Sequence, residues 1–230
     1  KKPPFDDVRM RRAVSLLLNR QMLVDALYLG YAHPTVNLLS IASPFYREFP
    51  AVQDIEEAKR LSRAVLGDAR REIVYCVNGA DPIQKGEAEL IAYWLSEIGL
   101  DARIEVLEQP MQLAKMRRGD YDIGRVQQGL PNGDPTYIFQ AFFTPKGARS
   151  AAMSLGYENA EVTALLTELA AATDEARRRA IFDRLQEIGV ADQPVVPLYF
   201  DENIVVYHAQ RLTGYKALRY GISLSKVGWK

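Results

Sequence analysis

Residues 72–77 read Glu-Ile-Val-Tyr-Cys-Val, and within them Ile73, Val74, Tyr75, Cys76 and Val77 form one unbroken apolar run. A strand with one wet face alternates, whereas a strand covered on both faces stays apolar throughout, so this run predicts a central parallel strand. After Asp81 and Pro82, the residues Ile91, Trp94, Leu95 and Ile98 recur at helical spacing, and Gly99 closes the stripe. Residues 103–107 then read as a second strand, residues 110–118 as a shorter helix stopped by Gly119, and residues 121–127 as a third strand. Strand, helix, strand, helix, strand with short connections is the signature of right-handed crossovers. The predicted fold class is therefore α/β, a central, largely parallel sheet flanked by helices. Its strand ends near Val77, Leu107 and Gln127 are expected side by side on one edge of a single sheet.

Outward from this core, Asp6 or Asp7 caps a first helix whose Met10, Ala13, Val14, Leu17 and Leu18 share one face, and the pattern runs to about Gly30. Residues 33–50 lose periodicity and carry Pro34, Pro44 and Pro50, which predicts an extended surface stretch. A second helix starts at Asp54, with Ile55, Ala58, Leu61 and Val65 on its stripe and Gly67 as its stop. Beyond the core, residues 137–144 form a short apolar piece and residues 145–154 a flexible loop. Two helices follow as a hairpin. The first carries Val162, Leu165, Leu166 and Leu169; the second starts behind Thr173, with Asp174 and Glu175 at its positive end, and buries Ile181, Leu185 and Ile188 before Gly189. Residues 195–200 and 204–208 flank Asp201, Glu202 and Asn203, which predicts two β segments joined by a turn.

The composition narrows the function. With 29 basic and 29 acidic residues, a pI near 7.0 and 48% hydrophobic content in 230 residues, the chain carries ample core material and no electrostatic footprint for nucleic acid. Its longest apolar run, Leu90 to Leu95, is far below the roughly 20 residues a membrane helix needs, so no span is expected. Cys76 is the only cysteine, which excludes an internal disulfide and thiolate metal clusters. Lys1, Lys2, Pro3 and Pro4 open the chain without an initiator methionine or apolar leader, so a piece of a longer protein is expected. No linker divides it, and residues 1–230 are read as one domain.

No G-x-S-x-G, H-E-x-x-H, G-x-x-x-x-G-K-[ST] or G-x-G-x-x-G pattern occurs, and His33 and His208 stand alone, so neither enzyme chemistry, nor a metal, nor a cofactor is predicted. Binding is better supported, because open parallel sheets hold ligands outside the carboxyl ends of their strands. Three loops qualify: residues 78–81, Glu108 with Gln109, and residues 127–135. The last is the richest, with Gln127, Gln128, Asn132 and Asp134 as polar candidates among Gly129, Leu130, Pro131, Gly133 and Pro135. Arg125, inside the third strand, requires a partner, either a structural carboxylate or an acidic group on a ligand. Tyr137 and Phe139 add aromatic surface, with Phe139 and Trp94 expected in the core.

The run Pro4, Phe5, Asp6, Asp7, Val8, Arg9, Met10, continued by Arg12, Ala13, Leu16, Asn19, Arg20, Leu23 and Val24, resembles the PFDDVRVRQALSLAIDR segment of family 5 solute-binding proteins, the peptide and nickel receptors of ABC importers. Ser43, Pro44 and Phe45, then Ala58, the run Gly119, Asp120, Tyr121, Asp122, then Asp134 with Pro135 and finally Pro197, Leu198, Tyr199 match further landmarks in order. The resemblance implies a type II periplasmic-binding-protein lobe, the second of two around a buried cleft, with residues 195–230 as its final segment and the N-terminal lobe outside this chain. It implies capture of a peptide-like solute or a nickel or metal chelate in the periplasm, or outside a Gram-positive cell on a lipid anchor, with delivery to a permease and no catalysis.

The departures bear on the solute. Where peptide-binding relatives read GW-x-A-D-Y before the Asp-Pro pair, this chain places Gln127, Gln128 and Pro131 near the Gly, Trp and Asp positions. Arg125 matches an Arg found before that motif in oligopeptide-binding relatives, and Thr136 stands where nickel-type relatives carry a His. The candidate ligand-binding set is Arg125, Gln127, Gln128, Asn132, Asp134 and Tyr137. Two other readings stay open: a small α/β enzyme with unrecognised catalytic carboxylates, and a sensor or interaction module that borrows this lobe.

Overall fold

The computed structural model describes residues 2–129, 134–202, 206–218, 221–223 and 225–230. Asp7 accepts a hydrogen bond from the Arg9 amide and opens α1 (Val8–Leu17), which buries Met10, Ala13, Val14 and Leu17 on one face. The sequence pattern predicted one helix to about Gly30. Instead Leu18 is extended, and Asn19 accepts from the Met22 amide to cap a separate helix, α2 (Arg20–Tyr28). Asparagine competes with the backbone for its own hydrogen bonds, so it starts a helix more readily than it continues one. A short β1 (Ala32–Pro34) precedes the irregular stretch that the prolines foretold. Asp54 caps α3 (Ile55–Leu66), and Gly67 ends it with φ 64°.

The core units follow: β2 (Arg71–Asn78), α4 (Pro82–Glu97), β3 (Leu100–Leu107), α5 (Gln109–Arg118) and β4 (Ile123–Gly124). β2 and β3 pair in parallel over their full lengths, from Arg71 opposite Leu100 to Asn78 opposite Leu107. β4 pairs in parallel with the other side of β2, giving the order β3-β2-β4. The three strands therefore share one sheet and one direction, as expected. The strand predicted over residues 121–127 shrinks to Ile123–Gly124, because β4 has only β2 beside it.

β2 is covered on both faces. Ile73, Tyr75 and Val77 join one core cluster with α1, α3 and α4, through residues such as Met10, Leu17, Leu61, Ile91 and Leu95. Cys76 points the other way, into a second cluster with Met116 and with the helices that follow β4. Those later helices are α6 (Thr136–Phe143), α7 (Ala148–Met153), α8 (Ala160–Ala171) and α9 (Glu175–Asp192). Trp94 and Phe139 are buried as predicted.

Three further expectations are corrected. Residues 145–154 are not all loop, since α7 lies within them, and it closes on α6 through Gly147. A Cβ at Gly147 would stand 2.2 Å from the Gln140 carbonyl oxygen and 2.4 Å from that of Ala141. Gly189 does not end its helix. It lies inside α9, where a Cβ would meet the Phe143 ring at 2.9 Å, so the glycine admits that ring. Residues 195–200 are not one strand: the ladder begins at β5 (Tyr199–Asp201), which pairs antiparallel with β1, Pro34 opposite Tyr199. Part of the second predicted segment, residues 204 and 205, lies outside the described residues, and residues 206–208 are irregular. Four short strands complete the chain, β6 (Leu212–Thr213) with β9 (Gly228–Trp229) and β7 (Lys216–Leu218) with β8 (Gly221–Ser223).

Candidate functional site

The carboxyl ends of β2, β3 and β4 lie together, so the three loops proposed from the sequence share one sheet edge. Their roles differ. In residues 78–81 the polar groups serve the fold: Asn78 Oδ1 accepts from the Ala80 amide, while Asp81 Oδ1 accepts from the Ile83 and Gln84 amides and so caps α4. Glu108 precedes α5 without a side-chain cap and is exposed, as is Gln109. The stretch after β4 opens on a cavity of about 660 Å³.

Arg125 lines that cavity, yet its guanidinium is bound from within. Nε donates to Glu87 Oε1 at 2.6 Å, Nη2 donates to the Tyr199 hydroxyl at 3.0 Å, and Nη1 donates to the Val126 carbonyl. The Tyr199 hydroxyl in turn donates to Glu87 Oε2. Glu87 is 0% exposed and the Arg125 side chain 12%. Burial is the largest single influence and would lower the Arg125 pKa, but the Glu87 charge, the Tyr199 hydroxyl and the hydrogen bonds to both together raise it. The Tyr199 hydroxyl is pushed up by burial first and by the Glu87 charge second. Tyr28 packs its ring against Tyr199, centroids 4.7 Å apart. Of the two partners open in the sequence, a structural carboxylate occupies Arg125.

Gln127 and Gln128 also line the cavity, Gln127 donating to Asp201 Oδ2 at 2.6 Å. Asp134 and Tyr137 are not among its lining residues: Asp134 accepts from the Thr136 amide at 2.9 Å at the start of α6, and Tyr137 is half-buried against the second core cluster. Asn132 lies outside the described residues. The structure thus brings Arg125, Gln127 and Gln128 together and sets Asp134 and Tyr137 apart from them. Three groups escaped the sequence reading. Glu87 was legible in principle, since it stands four residues before Ile91 and seven before Trp94, a carboxylate on the buried stripe of α4. Tyr199 was noted only as a landmark. Gln193, 3% exposed, follows α9 with φ 45° and carried no pattern at all. Among the described residues, no group of three His, Cys, Asp or Glu side chains is placed to hold a metal ion, and no helix is long and apolar enough to cross a membrane.

Comparison with known proteins gives a consistent result. The profile described as bacterial extracellular solute-binding proteins, family 5 Middle, matches residues 1–150. The periplasmic oligopeptide-binding protein OppA of Escherichia coli K12 is 24% identical over 211 residues, covering 88% of this chain and 38% of its own length. The chain thus spans well under half of that relative. DppA, a periplasmic binding protein of Helicobacter pylori solved with the peptide STSA, superposes with a TM-score of 0.87 at 24% identity, over 99% of this chain and 45% of that one. NikA of Staphylococcus aureus, solved with Ni(L-His)2, superposes with a TM-score of 0.78 at 20% identity, over 93% of this chain and 46% of that one. The fold is that of a type II periplasmic-binding-protein lobe, a parallel sheet flanked by helices.

Proposed function

The chain belongs to the bacterial extracellular solute-binding proteins of family 5, and we propose that it is the second lobe of a two-lobed receptor that captures a solute for an ABC importer. Residues 1–230 form that lobe together with its closing segment 195–230, and the N-terminal lobe supplies the facing wall of the cleft. The receptor acts by binding and not by catalysis, in the periplasm or on the outer face of a Gram-positive cell, and hands its solute to the permease. Relatives solved with a peptide and with a nickel–histidine complex support a peptide-like or metal-chelate solute.

One observation carries the reading: all three parallel strands end on one edge, and the residues that follow β4 combine amide side chains with an aspartate at that edge. Gln127 and Gln128, which line the cavity, offer donors and acceptors to amide or carboxylate groups of a solute. Arg125, neutralised by Glu87, braces the start of the loop.

Titration calorimetry of the whole receptor with short peptides and with nickel–histidine complexes tests this. Binding in the micromolar range or tighter to one class is expected, with at least a 100-fold loss for the 230-residue chain alone, because lobe closure buries a solute on two sides. Equal affinity of the chain alone and the whole receptor overturns the half-cleft reading.

A further inference from the structure

Two side-chain rungs join the stretch after β4 to β5, and they differ in charge. The inner rung runs from Arg125 to the Tyr199 hydroxyl at 3.0 Å and ends on buried Glu87, so one positive and one negative charge cancel. The outer rung, two residues further along both segments, runs from Gln127 to Asp201 at 2.6 Å. Here a neutral amide meets a carboxylate, and among the described residues Asp201 is in no ion pair. Its position is nonetheless fixed, because its backbone pairs with Ala32 at the end of β5 while its exposed side chain borders the cavity.

The glutamines at the outer rung have a set polarity. An amide side chain can turn either end toward a partner, but the partners here only accept: the Asp201 carboxylate for Gln127 and the Gly129 carbonyl for Gln128. Each Nε2 therefore faces the protein, and each Oε1 is left over. Gln128 Oε1 is buried with no hydrogen-bond partner, a costly state for an acceptor. Gln127 Oε1 accepts no hydrogen bond among the described residues. The guanidinium beside them is already engaged by Glu87, Tyr199 and Val126. Three acceptor groups, one of them charged, thus collect at the outer rung.

We propose that Asp201 is the charged anchor of the solute site and takes a protonated amine or guanidinium of the solute, with Gln127 Oε1 and Gln128 Oε1 as flanking acceptors. The proposal rests on the reading of the chain as a solute-binding lobe and narrows it to a solute with a cationic nitrogen. A solute carboxylate at this wall would face the Asp201 charge with no free guanidinium to offset it. A cationic nitrogen instead supplies a counter-charge to Asp201 and the missing donor to Gln128.

Titration calorimetry of the full-length receptor with the tripeptide Ala-Lys-Ala tests it, beside two versions that each lack one cation: the N-acetylated peptide and the peptide with norleucine in place of lysine. In the unmutated receptor, removing the cation that Asp201 holds should weaken binding roughly 10-fold or more. In Asp201→Asn the parent peptide should bind roughly 10-fold or more weakly, and the loss from removing that same cation should shrink below about 3-fold. Gln128→Met, which deletes the orphaned oxygen, should weaken the parent peptide while the melting temperature of the solute-free receptor stays unchanged or rises. Equal affinity of the unmutated and Asp201→Asn receptors, or an equal loss for all three peptides, overturns the proposal and leaves the receptor reading standing. A lowered melting temperature of Gln128→Met with unchanged affinity makes that oxygen structural and also overturns it. Binding of a nickel–histidine complex alone overturns only the proposal; binding of neither the peptides nor the complex overturns the receptor reading and the proposal together.

Discussion

Arg20 and Arg125 are both arginines buried beside the sheet, and they are accommodated in opposite ways. Arg20 is 2% exposed and has no carboxylate among its hydrogen-bond partners: Nη1 donates to the Ser15 carbonyl at 2.8 Å, Nη2 to Ser15 Oγ at 2.9 Å and Nε to the Pro197 carbonyl at 2.9 Å. Burial pushes its pKa down to about 10, which still leaves it charged at neutral pH. Arg125 has a buried carboxylate and a tyrosine hydroxyl, and its pKa moves up. Neutral acceptors where α1 gives way to α2 can satisfy a guanidinium's geometry, and they let one side chain tie α2 to α1 and to the Pro197 backbone. A carboxylate satisfies its charge, but creates a pair in which each member depends on the other.

The largest effect should come from breaking that dependence. Glu87→Leu or Arg125→Met alone is expected to cost roughly 3–5 kcal/mol, because either leaves a buried charge uncompensated, while the double variant recovers most of the loss. Denaturant unfolding of the three variants checks this. If the double is as unstable as either single, the two side chains are not a self-contained pair. In the full-length receptor, Arg125→Met should lower the melting temperature by roughly 10 °C and leave solute affinity of the folded fraction nearly intact, since all three guanidinium nitrogens are already engaged.

Arg20→Met should cost less, on the order of 2–3 kcal/mol, the penalty of leaving buried carbonyls at Ser15 and Pro197 unpaired with no opposite charge stranded. Arg20→Lys should recover only part of it, because an ammonium cannot span three acceptors with a planar fork. Full recovery by lysine would show that charge, not geometry, is what the site requires. The smallest change is Tyr199→Phe, expected at about 1 kcal/mol: it removes the hydroxyl that bridges Glu87 and Arg125 but leaves their direct contact in place. Urea midpoints resolve a difference of that size.

The parts of the fold that could be read from sequence were those written locally. β2 announces itself by its unbroken apolar run, α4 by its stripe and its Asp81-Pro82 entrance, and α3 by Asp54 and Gly67 at its ends. Errors arose where a distant contact decides. Gly189 reads as a stop until Phe143 is placed against it, and residues 121–127 read as a full strand that one neighbour alone cannot sustain. For the candidate site, the need of Arg125 for a partner was legible, but not which carboxylate supplied it. Glu87 is 38 residues away in sequence and comes within 2.6 Å only through the crossover. Asp134 accepts from the Thr136 amide, and sequence alone does not separate such a turn-forming aspartate from a ligand-binding one, because both use the same short, polar, turn-compatible side chain.

The bond from Arg20 to the Pro197 carbonyl joins residues 177 positions apart. During synthesis at ~5–20 residues per second, roughly 10–35 s separate the appearance of these two partners. Throughout that interval the guanidinium at the start of α2 lacks the acceptor that completes its fork, and the first core cluster lacks Val196, Leu198 and Tyr199 along its border. The amino-terminal helices therefore cannot reach their final packing on a nascent chain. Within these residues, α1 and α2 emerge as an apolar surface that waits for residues 196–199 to cover its border.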